Sequence, residues 1–218
     1  MLNCKKVLSL GASFLSVGTF IALAACSSVQ QPPNPYGIEH EVAHSKGSRP
    51  EWIDNMRAYQ KSHPDRKYFT GEADHEFDME GGRTDAVANA QKGIATTIKN
   101  TVHNLYIKAR TVDATQSAGS YNADTQQAIE DGTLQVATGI ITGAQPDRFW
   151  WRRYWIQTSP GAPVEYFNDV YVLESMSKAD YQQTVYQTLN GVKKVVQAPK
   201  AHRVIKTMKN LWLKQNAG

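Results

Sequence analysis

Two short stretches of the chain hold residue types that do chemistry. The first is "HEVAH", His40 to His44. It fits the H-E-x-x-H pattern of zinc peptidases, where a helix sets two imidazoles one turn apart and the glutamate activates a metal-bound water. Gly47 stands where the longer form of that pattern has glycine, but Pro50 stands where its third histidine belongs. The neighbouring residues offer little apolar periodicity with which to bury such a helix. The expectation is a polar amphipathic turn joining a spacer to a domain. His40 and His44 are then weak candidates for adventitious zinc, and a peptidase is a distant third reading of function.

The second stretch is "RFWWRRYWI", Arg148 to Ile156. Rings interleaved with cations suit a single-stranded nucleic acid, a glycan, or the interior of a sheet. The segments on either side of "SPGAP" are β-branched and aromatic, which predicts a hairpin with a loop of about five residues. If Thr158 faces Val164, then Phe149, Trp151 and Trp155 meet Leu173, Tyr171 and Phe167 on one face. Arg153 then falls opposite Asp169, and Arg148 opposite Glu174. Trp150, Arg152, Tyr154 and Ile156 occupy the second face, so Trp150, Arg152 and Tyr154 are the candidate ligand-binding residues. Structural sheet and ligand platform both stay open.

The remaining elements must position that hairpin. Trp52 and Ile53 are early apolar anchors, followed by a short polar helix or loop. "KYFTGEADHEF" alternates Phe69, Gly71, Ala73 and Phe77 against Thr70, Glu72, Asp74 and Glu76, the period of a half-buried strand. Its small centre leaves room for a close helix. Gly81-Gly82 breaks the chain, with Thr84 or Asp85 as cap. Ala86, Ala90, Ile94, Ile98, Val102, Leu105, Ala109 and Val112 then form one amphipathic stripe. A second helix over "NADTQQAIEDGTLQVATG" turns Ile129, Val136 and Ala137 inward. After the hairpin, Ser177 caps a helix with Tyr181, Val185, Leu189 and Val192 inward. Pro199 interrupts, and a last helix sets Val204, Ile205, Met208, Leu211 and Trp212 on one stripe. No acid follows Asp180, while seven lysines and arginines do. Lys206, Lys209 and Trp212 therefore mark a candidate interaction helix for an anionic surface or acidic partner. Docking on the domain is the equal alternative.

The fold class expected is α+β: a small antiparallel sheet of three or four strands with packed helices, plus a basic amphipathic C-terminal helix. The 218 residues carry a formal net charge of +4. Only Cys4 and Cys26 are present. No Ser/His/Asp or paired-carboxylate arrangement stands out, so neither an enzyme nor a cofactor is expected.

Cys26 decides the compartment. Lys5 and Lys6 precede an uncharged run, Val7 to Ala24, that ends in "LAAC" and passes into "SSVQQPPNPYG". Small residues before the cysteine and a polar, proline-rich stretch after it favour a cleaved signal over a retained span. This resembles the bacterial lipoprotein signal, whose cysteine becomes the lipidated first residue. The resemblance implies lipidation of Cys26 and, because Ser27 follows it, the outer membrane. Cys4 leaves with the signal, so no disulfide is expected. Nucleic acid is not an expected partner of an exported protein. The expected division is 1–25 signal peptide, 26–48 lipidated cysteine and flexible tether, 49–198 domain and 199–218 basic helix.

The order of elements also resembles a family. "PEWI" at 50–53, the Tyr68 to Ala73 strand, "GRTDAVANAQKGIATTI", and a hairpin ending "VYVLESMSKADY" are similar to the LPP twenty-kilodalton family of bacterial envelope lipoproteins, over roughly residues 50–185. The resemblance implies a small α+β sandwich and a structural or interaction role, in some relatives tied to flagellar outer-membrane structures. It carries over no catalytic residue. The expected function is a non-enzymatic outer-membrane lipoprotein with envelope proteins as partners. The alternative is a module binding peptidoglycan or polysaccharide, and anionic lipid is a further candidate partner.

Overall fold

The structure, a computed structural model, describes residues 35–112, 118–141 and 143–216. Cys26 and the signal segment lie outside the described residues. The architecture is α+β. Strands β1 (His40–His44), β2 (Arg66–Glu76), β3 (Gln145–Ile156) and β4 (Glu165–Ser177) form one antiparallel sheet in the order β1-β3-β4-β2. Helices α1 (Glu51–Asp54) and α2 (Met56–Ser62) precede β2, α3 (Met79–Val112) and α4 (Ala123–Ile140) follow it, and α5 (Lys178–Val195) and α6 (Pro199–Gln215) close the chain.

Helix α3 organises the molecule. Its 34 residues span about 50 Å at 1.5 Å per residue. The N-terminal half presents Ala86 and Ala90, both fully buried, to Ala73, Val170 and Val172 of the sheet. These small side chains are what allow the helix to lie on β2. A Cβ on Gly71 would sit 1.8 Å from the Ala86 carbonyl oxygen and 2.5 Å from the Ala90 nitrogen. From Ile94 onward the stripe enlarges to Ile98, Val102, Leu105 and Tyr106, and the partners change to α4, α5 and α6. Small residues thus serve a sheet contact, and large ones a helix cluster.

The alanine and apolar stripe of α3 is buried as expected from Ala86 to Ala109, but Val112 is exposed. The helix also starts earlier than Thr84. The Asp78 carboxylate accepts from the Gly81 N–H at 2.7 Å, and Gly82 is buried inside the first turns. Ser177 caps α5 by accepting from the Asp180 N–H at 2.9 Å. Asn122 does the same for α4 through the Thr125 N–H at 2.8 Å. Tyr181, Val185, Leu189 and Val192 face inward, as do Val204, Ile205 and Met208 of α6. Helix α6 therefore shares the core of α3 to α5.

The sheet has two unlike faces. The α3 face is covered over β2 and β4. The opposite face is capped at one end by α1 and α2, where Trp52 and Tyr59 pack on Trp150, Tyr171 and Leu173. The outer edge of β2 is closed by side chains. Gln60 donates to the Arg66 carbonyl at 2.7 Å and accepts from the Tyr68 N–H at 2.9 Å, while Asn89 donates to the Glu72 carbonyl at 2.8 Å. Occupied backbone groups on an edge strand discourage pairing with another chain.

Candidate functional site

The hairpin register decides what the aromatic stretch can do. Arg152 pairs with Asp169, Trp151 with Val170, and Trp150 with Tyr171. That is one residue away from the register set by Thr158 opposite Val164, and a one-residue slip moves every side chain to the other face. Two corrections follow. Trp150 and Tyr154, expected on a free face as ligand-binding residues, are buried at 5% and 0% exposure. Arg152, expected beside them, is an internal ion-pair partner.

Arg152 holds Asp169 at 2.6 Å and Glu39 at 2.7 Å. Its guanidinium also lies over the Tyr154 ring. The Tyr154 hydroxyl donates to the same Asp169 at 3.1 Å, and so does the His75 N–H. Burial, then the Asp169 charge, raises the Tyr154 hydroxyl far above its ordinary range. Arg153, expected opposite Asp169, instead faces Asn168 and is exposed over the Tyr166 ring. Arg148 does not reach Glu174 either. The same one-residue slip places it opposite Leu173, and a register shift between Pro146 and Arg148 sets Pro146 opposite Glu174. Glu174 is then fully buried with no hydrogen-bond partner among the described residues. Burial and the Asp147 charge hold its carboxyl above the usual carboxylate range.

The same face carries a carboxylate pair, Glu72 and Asp74, that the sequence reading did not single out. Asp74 is pushed up to about 6 by burial, by a hydrogen bond with Glu72, and by the charges of Glu72 and Asp169. A raised carboxyl favours the folded state below its ordinary value of 3.8, and that contribution is lost as pH rises through about 6. Asp74→Asn should therefore gain stability relative to wild type between pH 4 and pH 6.5. Carboxyl NMR titration should show Asp74 falling in Glu72→Gln yet staying above its ordinary value, because burial and the Asp169 charge remain. An Asp74 that titrates near 4 in the wild type would contradict the raised carboxyl.

The surface left open lies on the α3 face, beyond the helix. Phe149, Trp151, Arg153 and Trp155 alternate along β3. Trp151 is partly covered by the cluster under α3, whereas Phe149 is 39% and cross-strand Tyr166 47% exposed. Trp155 pairs with Tyr166 and stacks on His40 at 4.0 Å. Arg83 lies over Phe149. The result is a shallow strip of rings with two guanidiniums along it, about 20 Å long at 3.4 Å per residue. Sequence reading placed these residues in the core, and only a correct register could have found them.

The zinc motif fails on geometry. His40 to His44 is a strand, not a turn, and the segment read as tether is here the sheet's edge. A bulge between Glu41 and Ala43 breaks its alternation. His40 consequently shares a face with Trp155, and His44 stacks near Trp150 on the other. The two imidazoles are directed to opposite sides of the sheet. Among the described residues, no group of three or more His, Cys, Asp or Glu could hold a metal ion. His44 lines a cleft of about 200 Å³ with Glu41, Arg49, Trp150 and Arg152. Both of its guanidiniums already hold carboxylates, Asp54 at 2.8 Å for Arg49.

On α6, the Trp212 indole is 9% exposed and donates to the Gln182 carbonyl at 3.1 Å. Lys209 donates to Asn190 and lies over Tyr186. Both are spent on docking the helix, while Lys206 is exposed. Of the two open readings for this helix, the structure supports attachment to the domain. No described helix is long and apolar enough to cross a membrane. No protein-family model, curated protein or solved structure matches the chain.

Proposed function

We propose that the chain is a non-enzymatic lipoprotein of the outer membrane that holds an envelope glycan on the aromatic strip of its sheet. The observation that carries this reading is the row Phe149, Trp151, Arg153 and Trp155, in which Phe149 and Arg153 are exposed and the two tryptophans half-buried, with exposed Tyr166 beside it. Arg83, Arg153 and His40 cover one face of Phe149, Tyr166 and Trp155 respectively, and the apolar surface left on those rings can meet the C–H sides of sugar rings while the guanidiniums supply donors along the same line. A shallow strip suits a polymer better than an enclosed small molecule. The anchor is the Cys26 motif in its signal-like setting. A structural or scaffold role toward envelope proteins, with the flagellar association the family resemblance implies, belongs to the same non-enzymatic class.

The test is binding to purified peptidoglycan. Trp155→Ala and Arg153→Ala should lose co-sedimentation with the polymer, and Arg153→Ala, at an exposed site, should keep the wild-type melting temperature. Trp150→Ala should instead lose stability. Retained binding in both Trp155→Ala and Arg153→Ala would remove the glycan reading.

A further inference from the structure

We infer that the end of the sheet from which the chain runs back toward Cys26 is a membrane-contact surface with Phe77 at its point, and that its partner is a zwitterionic phospholipid bilayer. The inference rests on the reading of Cys26 as the lipid anchor.

Topology gathers three segments at this end. The Gly37 N–H donates to the Gln157 carbonyl at 2.9 Å, which sets the start of β1 beside the hairpin loop. Ile156 pairs with Glu165 across that loop. Glu76 pairs with Asn168, and the Phe77 ring lies 4.9 Å from that of Phe167. The last turn of β2 therefore ends at the same place.

These segments share a composition. Residues 35–38 read "PYGI" and residues 157–164 read "QTSPGAPV", with no charge in either. Ile38 is 46%, Val164 44% and Phe77 76% exposed. Carboxylates appear just behind, at Asp78, Glu80 and Glu165, all exposed. Behind the charge-free tip these acids stand beside two guanidiniums, Arg83 at Glu80 and Arg153 over Tyr166, a mixed ring without the basic cluster that anionic headgroups attract. Eight residues lie between Cys26 and Pro35, nine backbone steps with a reach of at most about 30 Å. A lipid on Cys26 would thus hold this end, and not the far end of α3, within touch of the bilayer.

Phe77 is held out by a built turn. His75 has φ 59°, a left-handed conformation uncommon outside glycine. Its N–H is held by the Asp169 carboxylate at 3.1 Å. Asn168 donates to the Glu76 carbonyl at 2.9 Å and approaches that of Phe77. Asp169 and Asn168 are both buried. Two buried polar side chains and a strained residue keep a large apolar ring in solvent, and strain of this kind collects at working surfaces.

The experiment uses the full chain, expressed with its signal and reconstituted in phosphatidylcholine vesicles. Phe77→Cys and Val112→Cys each carry an environment-sensitive fluorophore, and lipid incorporation at Cys26 is measured on the same samples. Val112, 64% exposed, lies at the opposite end of α3, about 50 Å away. Melting curves confirm that both variants fold. The expected result is a blue-shifted emission at position 77, quenched by nitroxide-labelled lipid, and neither effect at position 112. Anionic lipid should not strengthen the quenching. A lipidated chain whose probe at 77 behaves like that at 112 overturns this inference alone. So does a probe shielded only after an envelope protein is added. A chain with no lipid on Cys26 overturns both this inference and the anchoring it rests on.

Discussion

Arg152→Ala is expected to destabilise the domain by about 3 kcal/mol, the lower end for removing one partner of a buried ion pair. Asp169 is 2% exposed and would lose its cation, while Glu39 would lose the group that ties residues before β1 to the sheet. The lower end applies because Asp169 keeps the Tyr154 hydroxyl and the His75 N–H, and because the Arg152 side chain is 25% exposed. Arg152→Lys should recover part of the loss, since an ammonium cannot fork between two carboxylates as a guanidinium does. Arg153→Ala, one residue on, should change stability by less than about 0.5 kcal/mol. Urea unfolding of the three variants measures all of this. Equal costs for Arg152→Ala and Arg153→Ala would mean that the hairpin register is wrong.

Gly71→Ala should cost at least about 3 kcal/mol, at or beyond the usual upper range for overpacking. The atoms its Cβ would meet, the Ala86 oxygen and the Ala90 nitrogen, are backbone and have no rotamer to change. The helix itself must lift, and with it the contacts of Ala86 and Ala90. Gly93→Ala, on the facing side of that contact, has the opposite sign. Its added methyl group finds the Thr70 carbonyl at 4.0 Å, ordinary contact distance. Alanine in a helix interior is worth up to about 1 kcal/mol over glycine. Thermal melts that rank Gly71→Ala with Gly93→Ala would contradict the close seating of α3 on β2.

Much of the scaffold was legible in the residues, because its signals are local. The α3 stripe repeats over eight positions, Ser177 announces α5, and the alternation from Phe69 to Ala73 marks the inner side of β2. The hairpin was legible as a hairpin, but not its register. The loop from Gln157 to Val164 holds a tight turn at Ser159–Ala162, but the residues flanking it lie outside the ladder, so nothing local separates a pairing of Arg153 with Asp169 from one of Arg152. Both offer an arginine to an acid and rings to rings, and the burial of Tyr154 decides between them only in three dimensions. The bulges behave likewise. Nothing around Val42 or Asp147 signals that β1 and β3 skip a residue there, yet the first separates His40 from His44 and the second sets Pro146 in place of Asp147 opposite Glu174. Phe77 was read as the next inward position after Ala73, and the left-handed His75 sends it outward.

The two halves of α3 serve different apolar clusters, and this has a consequence for how the domain comes apart. Ala86 and Ala90 belong to the sheet, Ile98 and Leu105 to the helix cluster, and one unbroken rod carries all four. Neither cluster can be dissolved while the rod stays whole and seated, because fraying at one end strips partners from the next turn along. The domain is thus built as a single cooperative unit, not two subdomains joined by a hinge. A pull applied at the start of β1 and resisted at α6 would be passed through the sheet and along that rod, so it would load both clusters together.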